Sequence, residues 1–66
     1  MLAEELPRYL TEYEVSEITR RAVNTLRNDR VKSRGFPYIK HGRSVRYNLD
    51  DVLQYMENRK VVPEEL

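Results

Sequence analysis

Gly42-Arg43 separates two short extended segments, Pro37-Tyr38-Ile39-Lys40-His41 and Ser44-Val45-Arg46-Tyr47, and Asn48 follows the second without a spacer. Glycine at the first of two central positions is the type II′ hairpin signature, because Gly takes the required positive φ at no steric cost. Phe36 precedes Pro37, which biases it to extended backbone. Asn48 can cap a helix with Asp51 at its third position, and Asp50 and Asp51 put negative charge in the first turn, where the helix dipole favours it. The segment therefore reads as a hairpin running directly into a helix. Alternation sets Val45 and Tyr47 on one face of the second strand and Ser44 and Arg46 on the other.

Upstream, Leu10-Thr11-Glu12-Tyr13-Glu14-Val15 carries a helix start. Thr11 and Glu14 have the T-x-x-E spacing of a capping box, and Leu10 and Val15 occupy the two positions of a hydrophobic staple. The pattern predicts a helix over 12–19, with Val15 and Ile18 inward and Tyr13 at the margin. A second helix is predicted over 23–30, where Val23, Leu26 and the stem of Arg30 share one side. Its start has two readings: Ala22 is a poor cap, and Thr19 as the cap would begin the helix earlier. In a third helix, over 49–60, Leu49, Val52, Leu53 and Met56 recur at i, i+3, i+4 and i+7, an amphipathic stripe. Lys32-Ser33-Arg34-Gly35 reads as a loop in which Gly35 is free to take positive φ. Phe36, Tyr38 and Tyr47 are expected to pack the hairpin onto the helices, with Tyr55 half-exposed. Residues 1–8 read as a flexible lead-in, 9–60 as the domain and 61–66 as a tail, since Pro63 cannot continue a helix. The predicted class is mainly α with a small β-hairpin over 37–47, in the order helix, turn, helix, hairpin, helix: a winged helix-turn-helix.

Charge is sorted along this order. Between Thr19 and Tyr47 there are nine Lys or Arg and one acid, Asp29, for a net of +8. Residues 1–18 carry a net −4 and residues 48–66 a net −3, so the formal +1 of the 66-residue chain hides the basic block. A block built around one short helix and one hairpin suits nucleic acid, whose phosphates must be neutralised from one face. With no Cys and a single His, neither a disulfide framework nor an all-protein metal site is expected, and a reducing cytoplasm fits. No apolar run approaches the roughly 18 residues of a membrane span, so no membrane partner is expected. A chain this short leaves no room for a deep substrate pocket of the usual few hundred Å³.

Asn24, Thr25, Arg27 and Asn28 have the chemistry that reads base edges, Arg for guanine and Asn for adenine, and they fall on the exposed part of a helix that follows a tight turn. Arg30 belongs to the same helix. Arg20 and Arg21, in the turn, can meet phosphates or compensate the carboxyl end of the first helix. Lys40, His41, Gly42, Arg43, Ser44 and Arg46 cluster at the hairpin tip, where a β-ribbon can lie on the backbone or enter a groove. Lys40 has a second reading, its stem packed on Tyr47. The bland alternatives are a solvated helix face and a hairpin that protects its edges with charge. No catalytic constellation accompanies His41, and Asp50-Asp51 are explained by the helix terminus they occupy. An enzyme is not expected.

Tyr9-Leu10-Thr11, Glu14-Val15-Ser16-Glu17-Ile18, Thr25-Leu26-Arg27, Pro37-Tyr38-Ile39-Lys40, Gly42-Arg43, Val45-Arg46-Tyr47 and Asp51-Val52 together resemble the AlpA/excisionase-type helix-turn-helix family, related to the DNA-binding domains of MerR-type regulators. The resemblance spans about residues 9–60, and the hairpin is its most specific part. It implies a duplex-DNA-binding protein of bacterial or phage origin, with the recognition helix (Asn24, Thr25, Arg27, Asn28) in the major groove and the wing (Lys40, Gly42, Arg43, Arg46) on the backbone or minor groove. Such proteins direct excision of prophages or mobile elements, or regulate transcription. The implied partners are double-stranded DNA and either an integrase/recombinase or further copies of the chain. No cofactor is implied, nor a small-molecule ligand, since the long dimerisation helix and effector domain of MerR-type regulators are not seen. A small transcriptional regulator without a recombination role is the nearest alternative. A basic protein-interaction module is the alternative from another class. Two positions depart from the family: its turn usually has Gly where Arg20 stands, and a Ser cap where Ala22 stands.

Overall fold

A computed structural model describes residues 8–63. Its elements run β1 (Tyr9–Leu10), α1 (Glu12–Thr19), α2 (Val23–Val31), β2 (Ile39–His41), β3 (Ser44–Asn48) and α3 (Leu49–Asn58). Three helices and a small antiparallel sheet make up the winged helix-turn-helix that the sequence predicts.

Local chemistry accounts for most boundaries. The capping box forms: Thr11 N–H donates to Glu14 Oε1 at 2.8 Å, and Glu14 N–H donates to Thr11 Oγ1 at 3.2 Å. The staple residues Leu10 and Val15 both reach the core. At the hairpin, His41 pairs with Ser44, so the loop is Gly42-Arg43. Gly42 has φ 62° while Arg43 is not among the positive-φ residues, which fits type II′ and excludes type I′, where both central residues need positive φ. Asn48 caps α3 through Oδ1, which accepts from Asp51 N–H at 3.1 Å.

The core is Leu10, Val15, Leu26, Phe36, Tyr47 and Val52, with Val45, Leu49 and Tyr55 packed against it. Phe36 links the hairpin to α3. Its ring meets Tyr47 edge-on, with centroids 6.5 Å apart, and Tyr55 at 4.5 Å. Aromatic pairs in such offset arrangements add stabilisation beyond their buried area.

Several expectations are corrected. Tyr9 and Leu10 are a strand, pairing with Asn48 and Tyr47 to give the sheet order β1-β3-β2. A two-residue strand has no periodicity to read. Leu49 N–H donates to the Arg8 carbonyl at 2.8 Å, extending this join by one bond. The rest of the predicted lead-in, residues 1–7, lies outside the described residues, as do 64–66 of the tail. Ile18 is 48% exposed: it lies in the last turn of α1, beyond the part of the helix that packs on the core through Val15. Leu53 and Met56 are also half-exposed: α3 buries the line Leu49–Val52–Tyr55, and no further element in the described chain covers its flank. That helix ends at Asn58, with Arg59 and Lys60 in a looser turn, while α2 runs one residue further than predicted, to Val31. Thr19 does not cap α2. The N-cap is Ala22, without a side-chain hydrogen bond. The Thr19 hydroxyl donates to the Val15 carbonyl and accepts from Arg21 N–H, fixing the end of α1. Tyr38 packs only in part; it stays 41% exposed, 6.3 Å from the Tyr47 ring.

Candidate nucleic-acid interface

The turn between α1 and α2 spans Arg20, Arg21 and Ala22. Arg20 takes the left-handed conformation, φ 63° and ψ 22°, and its N–H donates to the Ser16 carbonyl at 2.8 Å. A residue in this conformation ends a helix and redirects the chain, the job Gly ordinarily does. Arginine at this position therefore keeps the turn but carries backbone strain.

Helix α2 presents Asn24, Arg27 and Asn28 to solvent, with Thr25 half-buried at the side. Asn24, Arg27 and Asn28 are spaced i, i+3, i+4 and share one face. Leu26 anchors the opposite face in the core. Arg30 turns inward: its side chain is 16% exposed, Nη1 donates to Tyr47 Oη, and Nη2 donates to Glu12 Oε1 at 3.1 Å. The same carboxylate receives Arg27, with Nη2 to Oε2 at 2.6 Å and Nε to Oε1 at 3.1 Å. Glu12 thus ties α1 to α2 by a two-arginine fork.

These contacts set the ionisation of the group. The hydrogen bond from Arg27, against the opposing effect of burial and with help from Arg30, holds the Glu12 carboxyl below its ordinary value. Burial works against the Arg30 charge, but its hydrogen bonds to Tyr47 and Glu12 outweigh that and raise its pKa. Both arginines remain charged.

Asp29 gathers one cation from the turn before α2 and one from the loop after it. It is buried and accepts from Arg21 Nη2 and from Arg34 Nε, each at 3.2 Å. The basic block is therefore of two kinds. Four cations (Arg21, Arg27, Arg30 and Arg34) are ion-paired within the fold. Arg20, Lys32, Lys40, Arg43 and Arg46 have no salt bridge among the described residues.

The wing lies beside α2. Two adjoining depressions run between them: one bordered by Glu12, Tyr13, Arg27, Arg30, Arg43 and Arg46, the other by Arg27, Arg30, Val31, Tyr38, Lys40 and Arg43. Register puts Lys40 opposite Val45 on one face of the ribbon and His41 opposite Ser44 on the other, with Arg46 next along. Residues of both faces reach the depressions: Lys40 and Val45 from the first, Ser44 and Arg46 from the second. Arg43 projects from the tip. Lys40 is exposed along the cleft, so its head is available to a ligand. Arg46 bends back to donate to the Val45 carbonyl at 2.8 Å. Arg20 and Arg21 border a separate shallow depression with Ser16, Glu17 and Ala22.

Glu12 and Asp29 are the organising residues that sequence reasoning did not identify. Asp29 had a signal, as the sole acid in the basic block. Glu12 had none beyond its place in a helix's first turn, since its partners lie 15 and 18 residues away.

Two short helices across a tight turn, and a basic hairpin set beside the second, define a winged helix-turn-helix. The chain belongs to the helix-turn-helix domain family found in AlpA/excisionase-type proteins, whose model matches residues 9–60. It is a DNA-binding helix-turn-helix protein, and its ligand is double-stranded DNA. Comparison with curated proteins and with solved structures gives no match. No helix among the described residues is long and apolar enough to cross a membrane.

Proposed function

We propose that the chain is a sequence-specific factor of excisionase/AlpA type acting in prophage or mobile-element excision. Asn24, Thr25, Arg27 and Asn28 read base edges in the major groove, and Lys40, His41, Gly42, Arg43, Ser44 and Arg46 lie on the backbone or in the minor groove. Arg20 meets phosphates next to the recognition helix, Arg21 is held beside it by Asp29, and Arg30 orients it through Glu12 and Tyr47.

The observation that carries this reading is the cleft itself. Arg27, on the exposed side of α2, and the cationic tip of the wing border the same depressions, so one duplex can engage both. Single modules of this size bury only about 600–1,000 Å² on DNA. Functional affinity then comes from repeated sites occupied by further copies, or from an integrase/recombinase bound alongside.

The test is selection of bound duplexes from a random-sequence library, followed by mapping of the recovered sequence on the replicon that encodes the chain. Clustered sites beside an attachment site, together with loss of excision when the gene is deleted, are the expected result. Sites confined to a promoter, with excision unchanged and integrase transcript altered, would move the reading to a transcriptional regulator. Failure to bind any duplex at about 50 mM salt, where phosphate contacts are strong, would overturn it.

A further inference from the structure

Glu12 is a carboxylate placed in a cleft that receives polyanions. Its side chain is 14% exposed, and it borders the same depression as Arg27, Arg43 and Arg46. For raw affinity this is counterproductive, because a negative charge beside the phosphate path weakens every complex. Its geometry suggests another use. Glu12 takes the Nε and Nη2 side of the Arg27 guanidinium in a fork, Nε to Oε1 at 3.1 Å and Nη2 to Oε2 at 2.6 Å. The other Nη2 hydrogen makes a longer contact, 3.3 Å to Tyr13 Oη. Nη1 has no hydrogen bond among the described residues. The donors left for a ligand are the two Nη1 hydrogens and the loosely held Nη2 hydrogen, at the far end of a plane that Glu12 fixes.

We infer that Glu12 is a specificity-determining residue of this interface: it clamps Arg27 so that only the end of the guanidinium, directed away from α1, can meet a base edge. This inference rests on the proposed reading of α2 as the recognition helix. A guanidinium presented end-on matches the paired N7 and O6 acceptors of guanine. An unclamped arginine is a long flexible cation that settles on any phosphate in reach. The cost of ordering its side chain is met in the free protein by the Glu12 fork and is not charged to the complex. Arg30 holds the clamp from behind, through Glu12 Oε1 and Tyr47. The carboxylate also repels a phosphate that approaches Arg27 from the side, so it discriminates by repulsion as well as by positioning.

The experiment uses the duplex recovered by selection with the wild-type chain, and its single-base variants, with Glu12→Gln, Arg27→Ala and the double variant. Removing the carboxylate should leave binding to unrelated duplexes equal or tighter. It should also cut discrimination at one base pair by about tenfold, the scale of a bidentate arginine–guanine contact. Arg27→Ala should lose preference at that same base pair, and the double variant should lose no more than Arg27→Ala alone. Arg27→Lys, which keeps the charge but cannot form the fork, should bind with unchanged salt dependence and reduced preference at that base pair. Circular dichroism and the urea midpoint identify any variant that fails to fold. Arg27→Lys keeps the question answerable if Glu12→Gln does not fold. Wild-type discrimination persisting in folded Glu12→Gln, or lost evenly at all positions, would overturn the inference. A wild-type chain that selects no sequence would instead remove the reading on which it rests.

Discussion

Asp29 and Gly35 pack so closely that a Cβ on Gly35 would lie 2.8 Å from the Asp29 Cβ and 3.0 Å from its Oδ2. Gly35 also has φ 90°, a conformation that L side chains resist. The loop after α2 is thereby pulled against the helix, and Arg34 N–H reaches the Asp29 carbonyl at 2.8 Å while its side chain reaches the carboxylate. Gly35→Ala must shift backbone or disturb the Asp29 pairs. The expected cost is about 2–3 kcal/mol, from clash and positive-φ strain together, read as a lower urea midpoint at unchanged slope. A loss below about 0.5 kcal/mol would mean the loop gives way freely.

Arg30 stands where a recognition-helix cation is expected, yet it behaves as part of the scaffold. It joins α2 to β3 through Tyr47 Oη and to α1 through Glu12, and its guanidinium lies 5.8 Å from the Tyr38 ring and 5.9 Å from the Tyr47 ring. Arg30→Met keeps the stem but removes the charged donor from Tyr47 Oη and one of the two arginines from Glu12. Hydrogen bonds of this kind contribute about 1.5–3 kcal/mol, and a loss of that order is expected in urea unfolding. Tyr47→Phe should cost less, about 1 kcal/mol, because Arg30 keeps Glu12. If Arg30→Met were neutral in stability but weakened DNA binding, the arginine would face the ligand rather than the core.

The division between what was legible and what was not follows the range of the interactions. The capping box at Thr11 and Glu14, the II′ turn at Gly42-Arg43 and the Asn48 cap are encoded within four residues, and all form as the sequence predicts. Strand β1 escaped because two residues carry no alternation and its partner lies almost forty residues on, at Tyr47 and Asn48. Ile18, Leu53 and Met56 look like core residues by spacing alone. A domain this small buries only about 60% of its unfolded surface, so some apolar positions on its helices stay outside. In the candidate site, the residue types were legible and the partnerships were not. Glu12–Arg27 and Asp29–Arg34 depend on how α1, α2 and the loop are docked, which no local pattern specifies.

The Glu12 fork makes stability depend on pH. The Arg27 hydrogen bond, opposed by burial and aided by Arg30, depresses the folded carboxyl below the ordinary 4.5 that the unfolded chain retains. A depressed carboxyl stabilises the fold fully above its unfolded value, and the contribution disappears as the pH falls through the folded value. The urea midpoint of the wild type should therefore drop below about pH 4.5 more steeply than that of Glu12→Gln. The two curves should converge in acid. Parallel curves across that range would show that Glu12 gains nothing from its arginines.

Ion pairing within the fold also sets the salt dependence of DNA binding. With all nine block cations on phosphates, the slope of log K against log salt would be about −8. Arg21, Arg27, Arg30 and Arg34 already hold carboxylates, which leaves Arg20, Lys32, Lys40, Arg43 and Arg46. The expected slope is then no steeper than about −4.5. Arg43→Ala, at the wing tip, should flatten it by about 0.9 and weaken matched and unmatched duplexes alike. A slope near −8 would mean that the internal pairs open on DNA.

Arg20 sets stability against binding at a single position. Its left-handed backbone, φ 63° and ψ 22°, is a conformation that glycine adopts without steric cost. A left-handed L residue costs roughly 1–2 kcal/mol, partly offset because glycine has more freedom to lose on folding. Arg20→Gly should therefore raise unfolding stability by about 0.5–1 kcal/mol. The side chain is exposed beside the start of α2 and has no salt bridge among the described residues, so what it contributes lies outside the fold. If it neutralises a phosphate, the glycine variant should bind every duplex more weakly and with a slope shallower by about 0.9. A variant that is both more stable and undiminished in binding would take the turn out of the interface. One that is less stable would show that the arginine side chain packs on the turn strongly enough to outweigh the strain of its backbone.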